Sequence, residues 1–227
     1  MELILRFLHR QENTMAHSRE MLLRAVVFCF ALSLMAFSTT LLRLSQFGND
    51  PFSCMNLGFS LVTGLSFGTC ISIFNVLALI LLVFWGRSYI NIGTWLYLFG
   101  LGPLADFTYM LSAPFLTVGP DALLARSLLL AAGIFISAFG VSLYMCSAIG
   151  IGPYDAISWI VENHTHGKIP FRYARIMLDS TSVIVGFVFG SIVGLGTLIL
   201  ACGMGPLISF NSRHFSQPLL QRLLNSK

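Results

Sequence analysis

Charge is what this chain has least of. Lys and Arg number 13 and Asp and Glu nine among 227 residues, so charged residues make up 10 % of the chain, against about 25 % in a soluble domain. With 56 % hydrophobic residues, 20 Phe and a mean hydropathy of +0.82, so few polar groups cannot cover a core in water. A soluble globular class is excluded, and the chain reads as a polytopic membrane protein in contact with a lipid bilayer. The formal charge of +4 comes from Lys and Arg flanking apolar runs, where they orient a membrane protein. No nucleic-acid partner is expected from it.

Motifs for metal, redox and hydrolytic chemistry are missing as well. Cys29, Cys54, Cys70, Cys146 and Cys202 lie in apolar stretches without CxxC or ligand spacing and read as small hydrophobes. His164 and His166 form a lone HxH in a polar stretch, too little for a metal site. No metal or cofactor is therefore expected. No nucleotide-binding motif is present, which argues against a self-powered pump. No Ser/His pair, HExxH or paired intramembrane Asp motif supports an enzyme. Residues 1–20 are charged and interrupted, without a small-residue cleavage site, so the first apolar run is expected to be retained. The weak amphipathic start of residues 1–24 suits the membrane surface, and Met15 and Met21 are alternative starts to Met1.

What the chain does have is long uncharged runs, broken in matching places. Residues 25–42 are uncharged for 18 residues, enough to cross a hydrocarbon core of about 30 Å. Then Gly48-Asn49-Asp50-Pro51 interrupts the chain and restarts it as a short apolar segment, 51–64, too short to cross and suited to a re-entrant half-helix. Spans two and three follow at residues 68–85 and 90–111. A Pro/Gly loop, 112–121, leads to span four, which ends near residue 147. A second break, Gly150-Ile151-Gly152-Pro153, opens the short segment 153–161. The 33 uncharged residues 180–212 are too long for one crossing and must turn in the run 190–196. That places span five at about 173–192 and span six at about 195–210.

The breaks recur at a fixed offset. Ala36-Phe37, Gly48 and Pro51 match Ala138-Phe139, Gly150 and Pro153 at 102 residues. Gly93-Thr94, Gly100 and Gly102-Pro103 match Gly196-Thr197, Gly203 and Gly205-Pro206 at 103. An internal duplication is expected, with Gly102, Pro103, Gly205 and Pro206 as further breaks. Three crossings per unit make the second unit inverted. This six-span arrangement puts most Lys and Arg on the cytoplasmic side and leaves only Arg43 and Arg126 outside, as the positive-inside rule favours. Eight spans would move Arg87 outside. The expected fold is all-α, with two inverted three-helix repeats, each carrying a short re-entrant or broken helix. The segments are a basic cytoplasmic stretch (1–24), repeat one (25–111), an outer loop (112–124), repeat two (125–212) and a cytoplasmic tail (213–227).

Gly-Asn-Asp-Pro after span one, Gly-Ile-Gly-Pro-Tyr-Asp after span four, Arg172 and Arg175 opening span five, and Gly-Leu-Gly-Thr opening the last span resemble the YczE/YyaS/YitT family of bacterial membrane proteins. The resemblance covers most of residues 25–210. It is closer to the YczE branch, because the chain ends soon after span six without a soluble C-terminal domain. It implies a multi-pass protein of the bacterial plasma (inner) membrane and implies no particular activity.

Paired breaks in two halves of a membrane protein are a pointer to a binding site. Asp50, with Asn49 before it and Pro51 after, is either a plain N-cap or a ligand at a half-helix N-terminus facing a cavity. Asp155 lies in the first turn of the second short helix, where the dipole suits a carboxylate. Asp106 is an intramembrane acid after Gly102-Pro103. It is either a functional group by the cost of burying it or a partner to backbone groups freed by Pro103, and by topology it could share a site with Asp50. Arg175 and Asp179 are four apart on one helical face, with Arg172 a turn earlier. They are either an interfacial pair or an inner gate in which Asp155 pairs with Arg172 or Arg175. Asn75 is a polar contact or a helix–helix hydrogen-bonding residue. The expected function is secondary transport or export of a small molecule, coupled to protons or another cation through Asp106 and Asp50. The alternative is a non-transporting membrane component that binds or regulates a partner protein. A homo-oligomer is compatible with both.

Overall fold

In the computed structural model, residues 18–119 and 121–225 are described. The expected surface-lying start, residues 1–17, falls outside them. The described chain is helical throughout and contains no strand. It comprises α1 (Ser18–Ser45), α2 (Pro51–Thr63), α3 (Phe67–Trp85), α4 (Ile92–Leu116), α5 (Leu123–Ser147), α6 (Pro153–His164), α7 (Phe171–Val188), α8 (Leu195–Asn211) and α9 (Gln217–Asn225). A short 3-10 turn, Arg87–Tyr89, precedes α4, and a π-helical turn, Ser212–Ser216, joins α8 to α9.

The short segments are helices with clear ends. Pro51 and Pro153 occupy the first turns of α2 and α6, where a missing N–H has no consequence. Asp50 caps α2, accepting the Ser53 N–H at 3.0 Å, and Gly64 ends it in the left-handed region (φ 73°). The long uncharged run 180–212 turns where expected: α7 stops at Val188, Gly190 adopts φ 87° and α8 begins at Leu195.

Two expectations are corrected. Gly102-Pro103 and Gly205-Pro206 are not breaks: α4 and α8 run through them, and α4 also runs through Pro114 to Leu116. The first half of the expected Pro/Gly loop, 112–116, is therefore helix. Each proline removes one helical N–H and frees one carbonyl, a defect that membrane helices absorb where neighbours or side chains satisfy the freed groups.

The core is the α1–α5 pair. The two helices run antiparallel in full register. Arg24 near the start of α1 donates to the Ser147 carbonyl at the end of α5 (3.0 Å), and Arg126 near the start of α5 donates to the Ser45 carbonyl at the end of α1 (2.9 Å). Cations on the last carbonyls of a helix satisfy orphan acceptors and oppose the dipole. Phe28, Leu32, Ala36, Leu143 and Tyr144 fill the seam, and Tyr97 and Leu101 of α4 close over it. Around this pair the halves interlock, with α2 packed on α7 and α6 on α3.

The outer surface is apolar, with Phe84, Phe99, Met110, Phe115 and Leu124 each at least 63 % exposed, while Asn56, Asn75, Thr94, Ser142 and Thr197 are buried. Polar residues inside and bare hydrocarbon outside are the pattern of a lipid-embedded chain. Four helical stretches are long and apolar enough to cross a membrane: Glu20–Ser45, Phe67–Trp85, Leu123–Ser147 and Leu195–Leu223. α4 is long enough but diluted by Gly, Thr, Tyr and Asp106, and α7 carries Arg172, Arg175 and Asp179.

Candidate functional site

The two breaks are held by equivalent contacts. After α1, the Phe47 carbonyl accepts the Gly196 N–H at the start of α8 (2.8 Å). After α5, the Ile149 carbonyl accepts the Gly93 N–H at the start of α4 (3.0 Å). Each break thus satisfies an orphan N–H of a helix in the other half. The approach is close enough to require glycine. A Cβ on Gly150 would lie 2.7 Å from the Gly93 Cα and 2.8 Å from the Thr94 N. Gly48 has φ +102° and its Cβ would lie 2.8 Å from the Gly194 N. Thr94 Oγ1 adds a hydrogen bond to the Ile151 carbonyl at 3.1 Å.

This docking brings the starts of α2 and α6 together. Phe52, one residue after Pro51, packs on Tyr154, one residue after Pro153, with ring centroids 4.5 Å apart. Beside that contact lies a closed polar network. Arg175 of α7 bridges two carboxylates: Nη1 donates to Asp155 Oδ1 of α6, and Nε donates to Asp179 Oδ2 at 2.9 Å. The other oxygens are met by tyrosines. Tyr144 OH donates to Asp155 Oδ2 and Tyr154 OH to Asp179 Oδ1, both at 2.8 Å. Tyr144 OH also accepts the Gly152 N–H at 3.1 Å, and Tyr154 OH meets Ser182 Oγ at 3.0 Å. The Arg175 guanidinium stacks over the Tyr154 ring at 4.9 Å.

Two carboxylates face one guanidinium, so the network carries one net negative charge. Asp50, two residues before Phe52, caps α2 beside the Phe52–Tyr154 ring contact. The N-terminus of α6, equivalent to roughly half a positive charge, supports Asp155. The tyrosines are buried, whereas the side chains of Arg175, Asp155 and Asp179 keep 32 %, 24 % and 17 % of their accessible surface. The charged face of the network therefore borders open space. Chemically, the arrangement is one guanidinium shared by two carboxylates, and it ties α6 to α7.

Of the residues singled out in the sequence, Asp155, Arg175 and Asp179 meet directly, and Asp50 caps the neighbouring short helix α2. Arg172 is exposed and outside the network, so the partner of Asp155 is Arg175. Asp106 lies elsewhere. Its carboxylate accepts the Gly68 N–H at 2.8 Å and the Ser66 hydroxyl, capping the start of α3, and no hydrogen bond or ion pair joins it to Asp50. The shared Asp50–Asp106 site is thus corrected to two separate places. Asp106 bonds not to groups freed by Pro103 but to the N-terminus of α3, where Ser66 accepts the Thr69 N–H at 3.1 Å and Asp106 the Gly68 N–H. Asn75 is fully buried, and neither its amide nitrogen nor its oxygen is hydrogen-bonded. Asn49 Oδ1, Asn56 Oδ1 and Ser158 Oγ are unpartnered too.

Sequence reasoning missed Tyr144, Tyr154, Ser182, Arg24 and Arg126. For the arginines a signal was present, since Arg24 and Arg126, like Ser45 and Ser147, stand 102 residues apart.

The family model described as a family of unknown function, DUF6198, matches residues 22–213. The chain belongs to this family. Among relatives of the chain, an uncharacterized protein of Haemophilus influenzae is 28 % identical over 186 residues, 81 % of each chain. The uncharacterized membrane protein YczE of Bacillus subtilis is 23 % identical over 208 residues, 91 % of each chain. The resemblance to the YczE-like family stands on this relative. No solved structure matches the chain.

Proposed function

We propose that this DUF6198 member is a secondary transporter or exporter of a small molecule, coupled to protons or another cation at the Asp155–Arg175–Asp179 network. The observation that carries the reading is that network itself. It is a partly open, net-negative cluster beside the meeting point of two short helices, inside a chain whose exterior is hydrocarbon. Intramembrane charges are costly and tend to mark substrate and ion paths. Broken helices aimed at one place are the usual construction of a transporter site.

The same reading takes six spans in two inverted three-span repeats, in the bacterial inner membrane with both termini cytoplasmic. Two pairs of equivalent contacts and one contact between equivalent residues support it: Arg24 to Ser147 with Arg126 to Ser45, Gly93 to Ile149 with Gly196 to Phe47, and Phe52 on its counterpart Tyr154. α4 and α7 would be the two further spans, with Asp106, Arg175 and Asp179 bonded to neighbouring elements and the exposed Arg172 in the first turn of α7. Arg175 ties the short helix α6 to α7 through Asp155, so protonation of Asp155 would loosen that tie. That gives a physical link between a proton and the movement of a broken helix.

The test is proton flux in liposomes containing the purified chain, across a panel of small metabolites, with Asp155→Asn and Asp179→Asn beside wild type. A substrate-dependent signal lost in either variant is expected. Flux unchanged in both variants would refute the coupling role. No flux with any compound, from folded protein, would favour the partner-binding alternative.

A further inference from the structure

Three arginines sit at the ends of α1 and α5, and one of them caps no helix. Arg24 and Arg126 donate to the terminal carbonyls of α5 and α1. Arg43, in the last turn of α1, does not cap carbonyls. Its guanidinium lies over the Tyr109 ring of α4 at 3.8 Å from the centroid and over the Phe67 ring of α3 at 4.6 Å. Among the described residues it makes no hydrogen bond and no ion pair. Asp106 is the acid whose field reaches it, yet the two do not pair, because Asp106 is engaged with Ser66 and Gly68.

A guanidinium held by two rings is fixed in place while its edge donors stay available. Those donors form a fork that matches two oxygens of one oxyanion. Arg43 is only partly buried, so these donors face out of the chain, where an acceptor from outside can reach them. We propose that Arg43, clamped by Tyr109 and Phe67, anchors a binding site for a singly charged oxyanion group, a carboxylate or a phosphodiester. Asp106 sets the charge limit: a second negative charge on the ligand would meet its carboxylate. The Ser66 and Thr69 hydroxyls, which bond each other at 2.7 Å beside Asp106, give the site a polar rim. This inference does not rest on the transport reading, since none of its residues belongs to the Asp155–Arg175–Asp179 network.

The shared chemistry has two sources, a membrane lipid headgroup and a soluble carboxylate, and one experiment separates them. Thermal unfolding of the purified full chain in uncharged detergent is followed against dihexanoyl phosphatidylglycerol and, separately, sodium benzoate, with sodium chloride at matched ionic strength as reference. A saturable rise in Tm with one of the two probes is expected. It should be lost in Arg43→Gln and shifted to about tenfold higher concentration in Arg43→Lys, which keeps the charge but loses the fork. A rise with the phosphatidylglycerol alone assigns the site to lipid, and a rise with benzoate alone assigns it to a soluble ligand. If Arg43→Gln does not fold, Tyr109→Leu replaces it, with a several-fold weaker response expected from the lost stacking. No saturable rise with either probe, or the same rise in Arg43→Gln as in wild type, overturns the proposal.

Discussion

Replacing Gly150 by alanine tests the docking of the second break on α4. The added methyl would lie 2.7 Å from the Gly93 Cα, 2.8 Å from the Thr94 N and 2.9 Å from the Gly93 carbonyl carbon. All three are backbone atoms of a helix start, so no side chain can swing aside. The break must retreat, which stretches the Gly93 N–H bond to the Ile149 carbonyl and the Thr94 hydroxyl bond to the Ile151 carbonyl. Overpacking of this kind costs about 1–3 kcal/mol, and each buried group left unmet adds about 1–3 kcal/mol. With overpacking and the equivalent of one lost hydrogen bond, the expected loss is about 2–6 kcal/mol. Gly205→Ala is the internal control, because a Cβ there meets nothing within 4 Å and alanine is the better helix former by about 1 kcal/mol. Equilibrium unfolding in mixed micelles measures both. A Gly150→Ala protein within about 0.5 kcal/mol of wild type, the range of an ordinary surface substitution, would refute the docking.

Further expectations follow from the same geometry. Arg126→Gln strips the end of α1 of its cation and should lower stability by about 1 kcal/mol, with Arg24→Gln producing a similar loss at the end of α5; a salt titration of unfolding checks both. Tyr144→Phe removes the donor to Asp155 and the acceptor of the Gly152 N–H, for about 1–3 kcal/mol, and hydrogen exchange at the start of α6 should rise with it. Gly64→Ala meets no atom within 4 Å, so only its left-handed backbone is disturbed, at about 1 kcal/mol, and Gly64→Asn should lose less.

Much of the fold was legible because glycine and proline punctuate it. Pro51 and Pro153 could only begin helices, and Gly64 and Gly190 could only end or turn them. The same residues misled where the membrane changes their meaning. Pro103, Pro114 and Pro206 sit inside α4 and α8, since a local defect there does not expose the chain to competing water. The site was half legible. Asp155, Arg175 and Asp179 stood out as acids and a base in an apolar chain, but their pairing depends on how α6 folds back on α7, and Arg172 was an equal candidate until the helix face was known. Tyr144 and Tyr154 carried no signal, because a tyrosine in an apolar run looks like core until its hydroxyl is placed. Asp106 was legible as an anomaly and not as a cap, because the helix start it serves is 38 residues earlier in sequence.

The reciprocal arginines also bear on how the chain is made. The last carbonyls of α1 are met by Arg126, 81 residues further along, and Arg24 reaches its own acceptor at Ser147 only 123 residues later. During synthesis the first half therefore emerges with its central helix uncapped at the far end and waits in the bilayer for α5. Neither half has a finished form of its own, and a gene cut between residues 116 and 123 should yield working protein only when both pieces are made in the same cell.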